Sequence, residues 1–208
     1  MIIGVLNQKG GVGKTTLSVN LAGMLSRARS SSILLIDADP QGSALDFAAA
    51  RQGDPLFSVI ALPRPVIHKE IARIGRGFDH VLIDGPPRVS DLARSAIMAS
   101  DIIVIPVQPS PYDVWSAGEI VKIVNEAKTF KDLQKIVFVV NRKIANTAIG
   151  RDVREALSSY PFPVLSATIT QRVIFAEAAA TGQVVWEIDR EGLASKEIEA
   201  VLSEIMEG

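Results

Sequence analysis

Short apolar runs alternate with stretches of helical period along the whole chain. The runs Ile2–Leu6, Ile33–Asp37, Phe57–Ala61, His80–Asp84, Ile102–Val107 and Ile136–Val140 predict strands, with a weaker one near Val164–Thr168. Several are apolar almost throughout, the pattern of strands covered on both faces of a parallel sheet. Between them, Leu17, Leu21, Met24 and Leu25 recur at i, i+4, i+7 and i+8, which predicts an amphipathic helix. Ser90–Ala99, Val114–Lys128 and Thr147–Ser158 read the same way, as does Ala194–Met206 with Ile198, Val201, Leu202 and Ile205 on one stripe. Strand–helix alternation predicts an α/β fold: a doubly wound, mostly parallel sheet with helices on both faces and right-handed crossovers. Ligands of such sheets bind beyond the carboxyl ends of the strands.

The first strand leads into Gln8-Lys9-Gly10-Gly11-Val12-Gly13-Lys14-Thr15-Thr16. Strand, glycine loop, lysine, hydroxyls and helix in this order make a phosphate-binding loop. Glycine amides can turn inward as a nest of donors, and the helix N-terminus adds its positive end. Lys14 would reach the β/γ-phosphates and Thr15 would ligate Mg²⁺. The first glycine of the usual pattern is replaced by Gln8, and a second lysine stands at Lys9.

Composition narrows the field. The chain has 208 residues, 48% hydrophobic and 22% charged, which suits one globular domain over residues 1–208. Its net charge is -1, so any nucleic-acid binding must come from a local patch. With no cysteine it can hold neither a disulfide nor an iron–sulfur cluster. The first strand begins at residue 2, so no helix-turn-helix module is expected ahead of it, and neither a signal peptide nor a membrane-spanning run is read.

Residues 9–16 resemble the deviant Walker A box of the ParA/MinD group of ATPases, a P-loop NTPase class. The resemblance extends over nearly the whole chain and is strongest at residues 2–42, 78–87 and 102–111. It implies ATP and Mg²⁺ as cofactors, with Lys9, Gly10, Gly11, Val12, Gly13, Lys14, Thr15 and Thr16 around the nucleotide. In Asp37-Ala38-Asp39-Pro40-Gln41-Gly42 it places Asp37 near the metal and makes Asp39 position the attacking water. Asp84, closing an apolar run, takes the Walker B role at the metal, with Gly85-Pro86-Pro87 as a second switch. Asn141, with Arg142 beside it, is the candidate adenine reader, and the loop near Thr168–Arg172 closes over the base. Lys9 is implied to cross a dimer interface to the partner's nucleotide, so Lys9, Lys14 and Asp39 form the catalytic set. The proline-stiffened segment Pro106–Pro111 resembles one that lines the dimer face.

Among the branches of the group, the chain is closest in pattern to small ParA (ParF-like) plasmid partition ATPases. That implies a weak, partner-stimulated ATPase, cytoplasmic and associated with the nucleoid. Its ATP-bound homodimer, with higher assemblies as an open extension, binds DNA without sequence preference. A centromere-binding ParB/ParG-like protein triggers release. Between Lys122 and Glu155 eight basic residues face four acidic ones. Arg142, Lys143, Arg151, Arg154 and Arg172 are the DNA candidates. The alternatives are a positioning ATPase for another cargo, a MinD-like membrane-cycling ATPase and a metabolic P-loop enzyme. The acidic Glu197, Glu199, Glu204 and Glu207 of the last helix speak against docking on anionic lipid. His68, His80, Trp115 and Trp186 read as structural, the tryptophans as packing anchors.

Overall fold

The computed structural model describes residues 1–27, 31–88, 90–144 and 149–207, with the side chains of 149–151 left aside. Its strands are β1 (Ile2–Val5), β2 (Ile33–Asp37), β3 (Ser58–Ala61), β4 (His80–Asp84), β5 (Ile102–Val107), β6 (Lys135–Lys143) and β7 (Val164–Thr170). Its helices are α1 (Lys14–Leu25), α2 (Ser43–Ala50), α3 (Ile67–Ile74), α4 (Asp91–Ala99), α5 (Pro111–Ala127), α6 (Ile149–Leu157), α7 (Ile174–Ala180), α8 (Val185–Ile188) and α9 (Leu193–Met206). The strands form one sheet in the order β3-β2-β4-β1-β5-β6-β7, and every neighbouring pair is parallel. The predicted doubly wound architecture is therefore present. The start of the expected helix Thr147–Ser158 lies outside the described residues.

Alternation along each buried strand sends side chains to two cores. Val81 and Ile83 of β4 and Ile103, Ile105 and Val107 of β5 join the core beneath α3, α4 and α5. Leu82, Ile102 and Val104 join the core beneath α1 and α9. Burying each such aliphatic side chain is worth ~1.5–3 kcal/mol, so a slip of one residue in register would invert both layers.

The expectation of an amphipathic α1 is corrected. Ten of its twelve residues are buried, polar Ser18 and Asn20 among them. Neighbours cover it on most sides, and at Gly23 an added Cβ would lie 2.7 Å from a methyl of Val184. Trp186 fastens the same spot, its Nε1–H donating to the Gly23 carbonyl at 2.9 Å. Trp186 is thus the anchor expected of it. Trp115 is not: it is 67% exposed on α5, edge-on to Tyr112.

Strand register assembles the site. β2 and β4 pair Asp37 with Asp84, and β1 and β4 pair Val5 with Asp84. Both carboxylates and the start of the glycine loop therefore leave the sheet side by side.

Candidate nucleotide-binding site

The loop after β1 is built on left-handed turns. Gly11 and Gly13 have φ of 76° and 88°, where a side chain would be strained. The Gly13 carbonyl accepts the first turn's bond from the Leu17 N–H at 2.9 Å, which starts α1 at Lys14. Three amides brace the loop, one from within it and two from outside. Asn7 Nδ2 donates to the Pro106 carbonyl, Gln108 Nε2 to the Gly11 carbonyl and Asn141 Nδ2 to the Val12 carbonyl, each at 2.7 Å. An added Cβ at Gly10 or Gly11 would meet nothing within 4 Å, so the loop's outer side is open to a ligand.

Lys14 is 6% exposed, and its Nζ donates to the Lys9 carbonyl at 3.2 Å. Burial lowers its pKa, against the pull of Asp84 and Asp39. Asp84 is fully buried and accepts hydroxyl bonds from Thr15 at 2.6 Å and Ser18 at 3.1 Å. Burial raises its carboxyl to about 7 despite those bonds, with nearby Asp37 adding to the rise. A lowered lysine and a raised aspartate leave both charged forms short of partners. The donors gathered here are hydroxyl and carboxylate oxygens, the set that suits Mg²⁺ rather than a softer cation. Thr15 and Asp84 would hold it, beside the phosphates.

Asp37, expected near the metal, is engaged by the backbone of its own chain. It is fully buried, and its oxygens accept the backbone N–H groups of Asp39 (3.1 Å), Ala44 (2.9 Å) and Leu45 (3.1 Å). Burial raises its pKa and these bonds oppose the rise. The carboxylate thus seats the N-terminus of α2, whose own N-cap position is Gly42 and carries no side chain. Asp39 is half-buried, and its Oδ1 accepts from the Gln41 N–H at 2.9 Å. It borders a cleft of about 490 Å³ with Gly10, Gly13, Lys14, Thr15 and Arg142.

A second cleft, about 840 Å³, continues from the first along β6 and β7. Thr16, Arg142 and Ala179 line both, while Asn141, Thr170, Arg172 and Phe175 line the second alone. Phe175 gives this cleft an aromatic wall against which a planar base could stack. The amide of Asn141 is already engaged: it donates to Val12 and accepts from the Arg142 N–H at 2.9 Å. These bonds use one N–H and one lone pair, and an amide carries two of each. Arg142, inside β6, has φ of 54°, a left-handed position at the register shift between Val140 and Lys143.

Lys9 points inward. Its Nζ lies 2.7 Å from Oδ2 of Asp113 in α5, and the two side chains are 39% and 3% exposed. Asp113, Ser18, Gln108 and Phe175 were not legible as site residues. Asp113 is 104 positions from Lys9, and only its place just after Pro106–Pro111 hinted at it.

The DNA candidates are dispersed by the structure. Arg154 donates through one nitrogen to the Leu165 and Ser166 carbonyls at 2.6 and 2.7 Å. Arg172 pairs with Glu197 at 2.8 Å. These two brace β7. Arg142 lies on the nucleotide clefts, Lys143 is half-buried, and the Arg151 side chain is outside the described residues.

Fold, loop and paired carboxylates together define a P-loop nucleotide-binding domain. Residues 3–185 match the model of the CobQ/CobB/MinD/ParA nucleotide binding domain, and the chain belongs to this family. Proteins of the ParA/MinD type are P-loop ATPases, with ATP and Mg²⁺ as their ligands. The chain is 29% identical over 211 residues to maintenance of carboxysome distribution protein A of Halothiobacillus neapolitanus, covering 98% of this chain and 95% of that one. It is also 29% identical to the chromosome-partitioning ATPase Soj of Thermus thermophilus, over 88% and 86% of the two chains. The septum site-determining protein MinD of Pyrococcus horikoshii, solved with Mg-ADP, shares the fold at a TM-score of 0.77 with 18% identity, over 99% and 96% of the chains.

Proposed function

We propose that this protein is an ATP-driven positioning ATPase whose nucleotide state controls self-association, and whose cargo is a protein assembly. The observation that carries the reading is Lys9, a second amine on the phosphate loop. Its likeness over nearly full length to a carboxysome distribution protein favours a protein body as the cargo over a plasmid. Lys14 holds the β/γ-phosphates, and Thr15 and Asp84 hold Mg²⁺, which neutralises charge on the phosphates. Asp39, on the open side of the cleft, orients the attacking water. Asp37 keeps Asp39 in place through the backbone. Lys9 reaches the partner's phosphates in a face-to-face homodimer, and a counter-charge supplied in trans can raise turnover by ~10³–10⁵. Loss of the γ-phosphate then loosens the dimer.

Light scattering with ATP, ADP and no nucleotide tests this, together with ATP turnover. Dimers with ATP alone are expected, with slow turnover that a partner protein accelerates. An identical monomer in all three conditions would remove the reading. A fluorescent fusion tracked beside labelled protein bodies and labelled plasmid identifies the cargo.

Segregation of DNA is the second reading, favoured by the likeness to Soj. It requires sequence-blind, salt-sensitive duplex binding by the ATP-bound form. Lys143 and Arg142 are the candidates left on the described surface for that contact, and Arg151 is carried forward from the sequence. The compartment follows from the reading: cytoplasm, with the nucleoid as the surface on which dimers gather. Among the described residues no helix is long and apolar enough to cross a membrane.

A further inference from the structure

In this structure the trans lysine is already taken. Lys9 Nζ donates to Asp113 Oδ2 at 2.7 Å within the same chain. Asp113 lies in the first turn of α5, and its side chain is 3% exposed. Its other oxygen, Oδ1, is buried and has no hydrogen-bond partner. Among the described residues, Lys9 is thus the ionic partner of this buried carboxylate, whose charge the α5 N-terminus also favours. We infer that Asp113 is a cis latch for Lys9: it holds the amine on its own subunit and sets how much ATP is needed before that amine crosses to a second copy.

Charge arithmetic supports a latch over a permanent support. A lysine neutralised by a carboxylate offers little net attraction to a partner's phosphates, while a released one offers a full positive charge. The amine is also drawn toward the protein interior, since Asp113 is far more buried than Lys9. Release leaves Asp113 buried without its counter-ion, which is costly. Dimerisation must therefore exceed a threshold, and triphosphates on both faces supply the compensating attraction. The neighbouring loop is closed in the same way by its own groups. Lys14 donates to the Lys9 carbonyl, Gln108 to the Gly11 carbonyl, and the Lys9 N–H to Asn7 Oδ1 at 3.0 Å. A ligand that takes over Lys14 also frees the Lys9 backbone, so nucleotide entry and latch opening are linked through one residue.

The inference rests on the proposed trans role of Lys9, and the test separates the two. ATP-dependent dimerisation is measured by analytical ultracentrifugation for wild type, Lys9→Ala, Asp113→Asn and the double variant. For a latch, Asp113→Asn tightens the ATP dimer by roughly tenfold or more, because the buried charge no longer opposes release. Lys9→Ala and the double variant both stay monomeric. If Lys9→Ala stays monomeric while Asp113→Asn dimerises no more tightly than wild type, the latch is overturned and the trans lysine stands. If Lys9→Ala dimerises normally, both are overturned. A measurement on the unmodified protein guards against a misfolded variant. In nucleotide-free monomer, acylation of Lys9 by an amine-reactive ester should run roughly tenfold slower than that of exposed Lys69, as expected for a paired amine. Equal rates would overturn the latch.

Discussion

The charged residues at the phosphate-loop edge and those along the β7–α9 flank are held in opposite ways. On the flank, Glu197 accepts from the Thr170 N–H (2.9 Å), the Thr170 hydroxyl (2.8 Å) and Arg172 (2.8 Å). Burial alone would raise its pKa, but these bonds bring it below the usual value. Glu187, paired bidentately with Arg51 at 2.7 and 2.9 Å, is lowered by the same balance. At the loop, burial wins: Lys14 is lowered, and Asp37 and Asp84 are raised. One set of charges is satisfied by the fold and serves shape. In the other, Asp37 is held by backbone N–H groups, while Lys14 and Asp84 are underprovided and would be completed by phosphates and a divalent cation.

The contrast breaks first at Lys14. Lys14→Ala is expected to weaken triphosphate binding by ~10²-fold or more, the scale of a lost charge-assisted bond, while thermal stability holds or rises. A fluorescent-nucleotide titration beside a melting curve checks both. A large loss of stability would show that the loop lysine serves the fold after all. Arg51→Ala should do the reverse. Breaking this half-buried pair should cost ~3 kcal/mol in denaturant unfolding, with nucleotide affinity changed by no more than about twofold.

A pH series sharpens the comparison. Asp84 titrates at about 7 when folded and near 3.8 when unfolded. Between those values the folded state holds a proton that the unfolded state has lost, so this group's contribution falls as pH rises. Nucleotide-free wild type should therefore lose ~5 °C more than Asp84→Asn in melting temperature between pH 5 and 8. Glu197, with its lowered pKa, acts with the opposite sign: its stabilisation is present above its unfolded value and fades as pH falls through the folded one. The smallest effect belongs to Glu204→Gln. Its carboxylate caps the Ser166 and Ala167 N–H groups at 2.6 and 2.7 Å. An amide oxygen can still accept, so a loss of ~1 kcal/mol in unfolding free energy is expected.

Much of the fold was legible because β1, β2, β4 and β5 are buried on both faces and read as near-continuous apolar runs. β2, β4 and β5 begin and end where the runs predict. α2 was hidden because its N-terminal donors are satisfied by Asp37, seven and eight positions away, rather than by an adjacent cap. The glycine loop was legible as a local string. The Lys9–Asp113 contact was not, because sequence spacing carries no information across 104 residues. Two of the acidic residues of α9 have a structural task that spacing did not announce: Glu197 and Glu204 are committed to the N–H groups of β7, while Glu199 stays largely exposed, 3.4 Å from Arg27.

The two tryptophans of this chain stand at opposite ends of the proposed event. Trp186 is bonded to the main chain of the helix that follows the glycine loop, and Trp115 is open to solvent two positions from Asp113. A packed indole glows bluer than a wetted one. If subunits pair face to face as proposed, light emitted by the native chain would separate two moments, the tug on the loop helix and the covering of the opposing face, with no dye attached.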